Sequence, residues 1–335
     1  MSKVYQEETV TKRESQAFFI LKAFAILSVI TAHVCTRLLN QGVFAYIVSA
    51  FLFSFSRIGV VAFFAVSGFF YRYIPGDSRR FWKKKLLNLI LPWLICATLT
   101  FAVSRIGHGT MPYYNWIIGN GSWYYYVTVL IAFYAIFMWI SRSRICLFLC
   151  VGLTVLSLAL ETFSINPVTN LIHTPYLNLF NWIGFFAFGI LARRYRLDRK
   201  CIRWRVPVVL ASSIVWLAGF VALIYLNIYE FGYFHLVAPL YEISAVVLLY
   251  VISYALCVTG ACSVLVKIGG STYFIYLLHM QIVQMACRFL PKHIAIEPLK
   301  PLLGLALMMT LVCIAQFICK KCLKWEWPLR LVGLK

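Results

Sequence analysis

Apolar runs about as long as a bilayer is thick recur from one end of this chain to the other, and they exclude an ordinary soluble fold. A helix rises about 1.5 Å per residue, so about 20 residues cross the roughly 30 Å of hydrocarbon in a membrane. With a mean hydropathy of +0.85 and 12% charged residues in 335, no soluble domain of useful size fits between the runs. The expectation is an all-α, polytopic membrane helix bundle of about ten transmembrane helices in a single domain spanning residues 1–335. The predicted helices are 17–39, 55–73, 86–104, 122–140, 145–161, 178–193, 206–227, 237–258, 271–290 and 300–319, flanked by cytoplasmic tails at 1–16 and 320–335. Residues 42–54 are also apolar, but Arg57-Ile58-Gly59 interrupts the run, so that piece is predicted to be interfacial or re-entrant on the outer side.

A net charge of +21 raises the question of nucleic acid, and the positions of the basic residues answer it. With the N-terminus in the cytoplasm, 24 of 31 Lys and Arg residues fall on the inner side, six at outer ends or loops, Arg57 among them, and Lys22 within the first span. That asymmetry is the positive-inside rule; it predicts two cytoplasmic termini and a cell-membrane location, with no nucleic-acid partner. It also makes a stretch such as RRYRLDRKCIRWR a solvated cytoplasmic loop before it is a ligand site. The first apolar run follows EETVTKRES with no small-residue cleavage site, so it reads as an uncleaved span. Eleven cysteines lie mostly within spans, where Cys behaves as a small apolar residue, and no cluster has metal-ligand spacing.

An ionisable group inside a span is costly, about 3 kcal/mol near the centre on insertion scales, so each one asks for a reason. Lys22, His33, Glu242 and His279 are the clearest cases, with Arg57 at a span end and Ser67 within one. In KAFAILSVITAH, Lys22 and His33 stand eleven residues apart, three helical turns plus about 20°, on one face and roughly 16 Å apart along the axis. Lys22 also has the reach to snorkel to the interface, and Glu242 to pair with another span. An imidazole serves as a structural bridge or as a general base near neutral pH. Tyr276, three residues before His279, shares its face and is placed to orient the ring. Outer loops dense in Tyr, Trp, Asn and Pro suit an aromatic interfacial belt and also a sugar-binding mouth.

Several stretches together resemble one family, the integral membrane acyltransferases of acyltransferase family 3. ILKAFAILSVITAH keeps the spacing of the family's first-helix Arg-x10-His pattern, with Lys22 at the arginine position and His33 at the histidine. RIGVVAFFAVSG resembles the second-helix motif through Arg57, Phe63, Phe64, Ser67 and Gly68. FWKKKLLNLILPW is similar to the basic Arg-x-x-Arg start of the third helix, the pair becoming Lys85 with Asn88. WYYYVTVLIAFY, GFFAFGILARR and IGGSTYFIYLLHMQIV resemble later segments. Phe19 stands where an aspartate is common, and lysine for arginine loses the bidentate fork. The missing aspartate, the short length and the absence of an extra soluble domain look more like the exopolysaccharide-modifying branch of intercellular-adhesin systems.

The resemblance implies a membrane O-acyltransferase that moves an acyl group, acetyl or succinyl, from cytoplasmic acyl-CoA to a hydroxyl of a surface polysaccharide or lipid-linked glycan. Acyl-CoA, membrane lipid, the glycan acceptor and a glycan synthase complex are then the expected partners, and no metal is required. His33 is the expected general base, with Ser67, Glu242, Tyr276 and His279 as further catalytic candidates. Lys22, Arg57, Lys84 and Lys85 are expected to hold the donor, and Trp123 and Tyr124 the acceptor. A transporter, whose path the same polar groups would line, is the main alternative; an assembly scaffold is a third, and it leaves both histidines idle.

Overall fold

The computed structural model describes residues 10–38, 43–106, 109–225, 234–259, 263–293 and 299–322, with Leu329, Gly333 and Leu334. Part of each expected tail therefore lies outside the described residues, which are helical and contain no β-strand. The helices are α1 (Lys12–Leu38), α2 (Val43–Ser56), α3 (Ile58–Phe69), α4 (Ser78–Lys85), α5 (Leu91–Ile106), α6 (Tyr113–Ile118), α7 (Tyr125–Ile140), α8 (Arg144–Thr162) and α9 (Pro167–Ile172). They continue as α10 (Ile183–Arg194), α11 (Leu197–Arg203), α12 (Arg205–Tyr225), α13 (Ala238–Val258), α14 (Ser263–Gly270), α15 (Thr272–His293) and α16 (Lys300–Cys322).

Seven stretches among the described residues are long and apolar enough to cross a membrane: Lys12–Arg37, Ile47–Phe69, Ser78–Ile106, Arg144–Thr162, Arg205–Ala222, Ala238–Val258 and Lys300–Cys322. Helices α7, α10 and α15 stand where three further spans were expected. The first two are shorter, with 16 and 12 residues, and α15 carries His279, Gln281 and Gln284 with a basic C-terminal end.

The first helix begins earlier than its apolar run. Thr11 Oγ1 accepts from the Glu14 amide at 3.2 Å, and the Glu14 carboxylate accepts from the Thr11 amide at 2.7 Å. This reciprocal capping box satisfies two amides that a helix start leaves orphaned, so five residues expected in the tail are helical. Glu14 also pairs with Arg199 of α11 at 2.9 Å, tying that helix start to the basic stretch after α10.

The expected break before the second span shrinks to one residue. Only Arg57 separates α2 from α3, and the two run back along α1 as an interrupted hairpin arm. A Cβ on Gly59 would meet Ala25 O at 2.7 Å and Val29 Cγ2 at 2.6 Å, while the Phe18 and Phe69 rings lie 4.4 Å apart at the other end. Arg57, expected at an outer span end, is 2% exposed and lies at the junction of α2 and α3 within the apolar stretch Ile47–Phe69.

Helix α1 is the hub, packed by α2, α3, α13, α14, α15 and α16, while α10 wedges between α3 and α8. The α3–α10 contact is backbone on backbone: a Cβ on Gly68 would lie 2.0 Å from Phe186 O, and one on Gly189 2.0 Å from Ala65 O. Small residues at such crossings let helices gain van der Waals contact where lipid removes the hydrophobic drive.

The third span contains a π-helical turn, Leu86–Ile90, in which the Leu91 amide donates to Leu86 O, five residues back. Pro92 explains it. Proline has no amide to donate, and its ring clashes with the carbonyl four residues earlier, so the local ladder shifts by one. Side chains then serve nearby carbonyls: Asn88 Nδ2 donates to Lys84 O at 2.8 Å and the Tyr273 hydroxyl to Leu89 O at 2.5 Å.

Candidate active site

The two intramembrane histidines, 246 positions apart in sequence, meet where α15 packs on α1. Their ring centroids are 5.2 Å apart. His279 is fully buried and His33 partly exposed. His279 Nδ1 lies 2.6 Å from Tyr276 O. A carbonyl only accepts, so Nδ1 carries the proton and Nε2 presents a lone pair. Nε2 has no hydrogen-bond partner among the described residues.

The expected role of Tyr276 is therefore changed in its chemistry. Its main-chain carbonyl orients His279, while its hydroxyl donates to Trp123 O. The Trp123 ring lies 6.4 Å from His279 and 5.0 Å from Trp116, so Trp123 forms a wall of the histidine site. Tyr124 faces elsewhere. Its hydroxyl is fully buried, 2.9 Å from Thr100 Oγ1 and 3.2 Å from Leu277 O, joining α5 to α15 in the manner of a structural tie.

Other candidates lie along a second line. Ser67 Oγ is 3.4 Å from the Tyr126 hydroxyl, and the Tyr126 ring is 5.4 Å from Tyr276, so Ser67 stands beyond two tyrosines from His279. Lys22 shares the His33 helix three turns below, its Nζ 4.3 Å from the Phe19 ring centroid. Lys84 and Lys85 part company: Lys84 is exposed, whereas Lys85 Nζ lies 3.4 Å over the Tyr134 ring.

Arg57, between α2 and α3, and Glu242 of α13 form a separate buried polar centre. Glu242 is fully buried and both carboxyl oxygens lack a hydrogen-bond partner among the described residues. The Arg57 charge acts on Glu242 and on Tyr241, whose hydroxyl donates to Ser54 O at 2.5 Å. It reaches His235 as well, where burial first and that charge second push the imidazole below its ordinary value. No group of three or more His, Cys, Asp or Glu able to hold a metal occurs among the described residues.

The arrangement supplies a hydrogen-bonded imidazole beside a second, partly exposed imidazole, with the Trp123 and Tyr276 rings packed against the first. Against known families, the sequence matches the acyltransferase domain of acyltransferase family 3 over residues 17–319. The chain belongs to acyltransferase family 3. It is thus a membrane acyltransferase whose family match runs from the first helix through the last, and the Lys22–His33 and Arg57–Gly68 motifs both fall within it. No curated protein and no protein of known structure matches the chain.

Sequence reasoning missed one feature. Six arginines, from the segment after α3, the α7–α8 junction and the end of α10 with the residues just beyond it, line a single cavity. The signal was present in RRYRLDRKCIRWR, but membrane topology accounts for the same residues equally well.

Proposed function

We propose that this acyltransferase moves an acyl group from cytoplasmic acyl-CoA to a hydroxyl of a surface polysaccharide or lipid-linked glycan, with His33 as general base. The observation that carries the reading is the histidine pair: one ring pinned through Nδ1, its Nε2 lone pair beside a partly exposed second ring. In this reading His279 Nε2, which has no partner among the described residues, accepts from one ring N–H of His33 once the His33 ring turns toward it in the loaded site, leaving the other His33 nitrogen to face the acceptor hydroxyl. His279 is then a positioning residue, and His33 the catalytic one.

The hydroxyl oxygen attacks the thioester carbonyl as His33 takes its proton, giving a tetrahedral intermediate. Collapse breaks the C–S bond, and the His33 imidazolium returns the proton to the CoA sulfur. No net proton is exchanged with the site. Lys22, roughly 16 Å below His33 along α1, is placed for the donor's diphosphate. Lys85, turned inward on Tyr134, sits nearer the donor than the exposed Lys84. Acetyl-CoA and succinyl-CoA are the donors to try first. Family membership favours this reading over a carrier, since a carrier forms no acyl bond.

The test is purified His33→Gln protein in detergent, which keeps a hydrogen-bonding side chain of similar reach. General-base catalysis is worth typically 10²–10⁴-fold, so transfer falls at least about a hundredfold while acyl-CoA binding persists. Near-normal transfer by this variant would remove His33 from the mechanism.

A further inference from the structure

The cavity behind the arginines has a volume of about 590 Å³, within the range of roughly 300–1,000 Å³ that holds small-molecule ligands. Arg72, Arg142, Arg144, Arg193, Arg194 and Arg196 line it against one carboxylate, Asp198. Three of them are anchored. Arg193 donates to Phe69 O at 3.3 Å, Arg194 to Ser141 O at 2.8 Å, and Arg196 Nε lies 3.9 Å from Asp198. Arg72, Arg142 and Arg144 are exposed at the rim. Topology explains why arginines lie on this side of the membrane, but not why three chain segments aim them at one hollow.

We propose that this cavity is a polyphosphate site that holds the 3′-phospho-ADP end of coenzyme A. The inference rests on the acyl-CoA reading above and gives it a place. Guanidinium groups bind phosphate oxygens through paired, charge-assisted hydrogen bonds, and three phosphates on one ligand suit an arginine cluster better than isolated lysines. Tyr71 and Tyr73 also line the cavity; Tyr71 is buried among neighbouring rings, and the partly exposed Tyr73 is the ring suited to adenine. Tyr73 is held by Ser78 at 2.7 Å and packs on Phe81.

Two chains of side-chain contacts run from the cavity toward the donor lysines. Phe69 lines it and stacks on Phe18, one turn before Lys22 on the His33 helix. Tyr71 lines it and lies 6.1 Å from Tyr134, the ring under Lys85. The arm of coenzyme A from diphosphate to sulfur is twelve bonds, the length of four extended residues, roughly 14 Å. With the 3′-phospho-ADP in the cavity and its diphosphate shared between the arginines and Lys22, that arm covers most of the roughly 16 Å rise to His33.

Anionic lipid headgroups present the same phosphate chemistry, so the experiment separates the two sources. Calorimetry on the full-length protein uses coenzyme A and adenosine 3′,5′-bisphosphate as probes, with wild type, a triple Arg72/Arg142/Arg144→Gln variant and the corresponding triple Arg→Lys variant. Expected are binding of both probes by wild type, a loss of about tenfold at low salt in the Gln variant that shrinks as salt rises, and substantial recovery in the Lys variant. Recovery by Lys excludes misfolding as the cause of the loss. Equal coenzyme A affinity in wild type and Gln variant overturns the cavity assignment and leaves the donor reading standing. Neither probe binding to wild type, with no acyl transfer from any acyl-CoA, overturns the donor reading itself. Bisphosphate binding that persists in phosphatidylcholine nanodiscs but disappears in phosphatidylglycerol nanodiscs assigns the cavity to lipid and overturns the proposal.

Discussion

The two nitrogens of His279 can be removed one at a time, and the structure predicts opposite orders for stability and activity. An asparagine amide reaches about as far as Nδ1, so His279→Asn keeps a donor for Tyr276 O but loses the acceptor at Nε2. A glutamine amide reaches about as far as Nε2, so His279→Gln keeps an acceptor toward His33 and gives up the Tyr276 contact, which is 2.6 Å long in the wild type. That buried bond is worth about 1 kcal/mol net, making the Gln variant the less stable of the two. Activity runs the other way. In the proposed mechanism His33 becomes an imidazolium in the transition state, and a hydrogen bond from that charged donor to His279 would be worth about 1.5–3 kcal/mol. Losing its acceptor slows transfer by about 10- to 150-fold in the Asn variant, while the Gln variant loses much less. The assay is turnover at saturating acyl-CoA in detergent, alongside thermal unfolding of each protein. If activity follows stability, with Asn the more active, His279 is a structural bridge and the positioning role is refuted.

Two further outcomes follow from packing and charge. Gly189→Ala puts a methyl group 2.0 Å from Ala65 O, and overpacking of this kind costs about 1–3 kcal/mol, lowering the midpoint of thermal unfolding. Gly152→Ala, with nothing within 4 Å, is the control expected to leave that midpoint level or raised. For Asp198, burial raises the carboxyl above its usual value, and the Arg199 amide with the Arg196 and Arg199 charges only partly offsets it. The folded chain thus holds this proton to higher pH than the unfolded chain. The associated stability is present below the unfolded carboxyl value, near 3.9, and is lost as pH rises through the raised one. Asp198→Asn removes that pH dependence and strengthens coenzyme A binding roughly threefold by deleting a like charge beside the phosphates; unchanged affinity and an unchanged unfolding profile would contradict both statements.

Much of the helical layout was legible because the bilayer imposes it: apolar length, basic loops and costly polar groups can each be read one segment at a time. His33 and His279 stood out for that reason, as groups needing a partner. Their meeting was not legible, because it depends on which face α15 turns to α1, and that is fixed by packing between distant segments. Arg57 was legible as a break in the apolar run, while its burial was not, because that depends on α2 and α3 packing along α1. The capping box at Thr11 and Glu14 was readable in TKRE and went unread beside the stronger apolar signal. Tyr276 shows a subtler limit: spacing put it on the right face, while the atom that matters belongs to its main chain. The arginine cavity had a sufficient explanation already in the positive-inside rule, and only their convergence on one hollow asks for another.

The π-helical turn at Leu86–Ile90 has a consequence for how this chain is lined up with others. A single such turn takes up one residue more than an α-helix would over the same rotation, so flanking faces keep their directions while the numbering slips. Lys85 consequently faces where an uninterrupted helix running back from Leu91 would present its successor. A relative with one residue fewer between its basic cluster and its Pro-Trp pair has no need of the turn, and its inward cation then stands one step closer to that proline. Gapless counting from Pro92 would pair that cation with Leu86 and mistake a kept contact with Tyr134 for a lost one. An insertion that leaves both ends of a helix pointing as before is silent in three dimensions and loud in one.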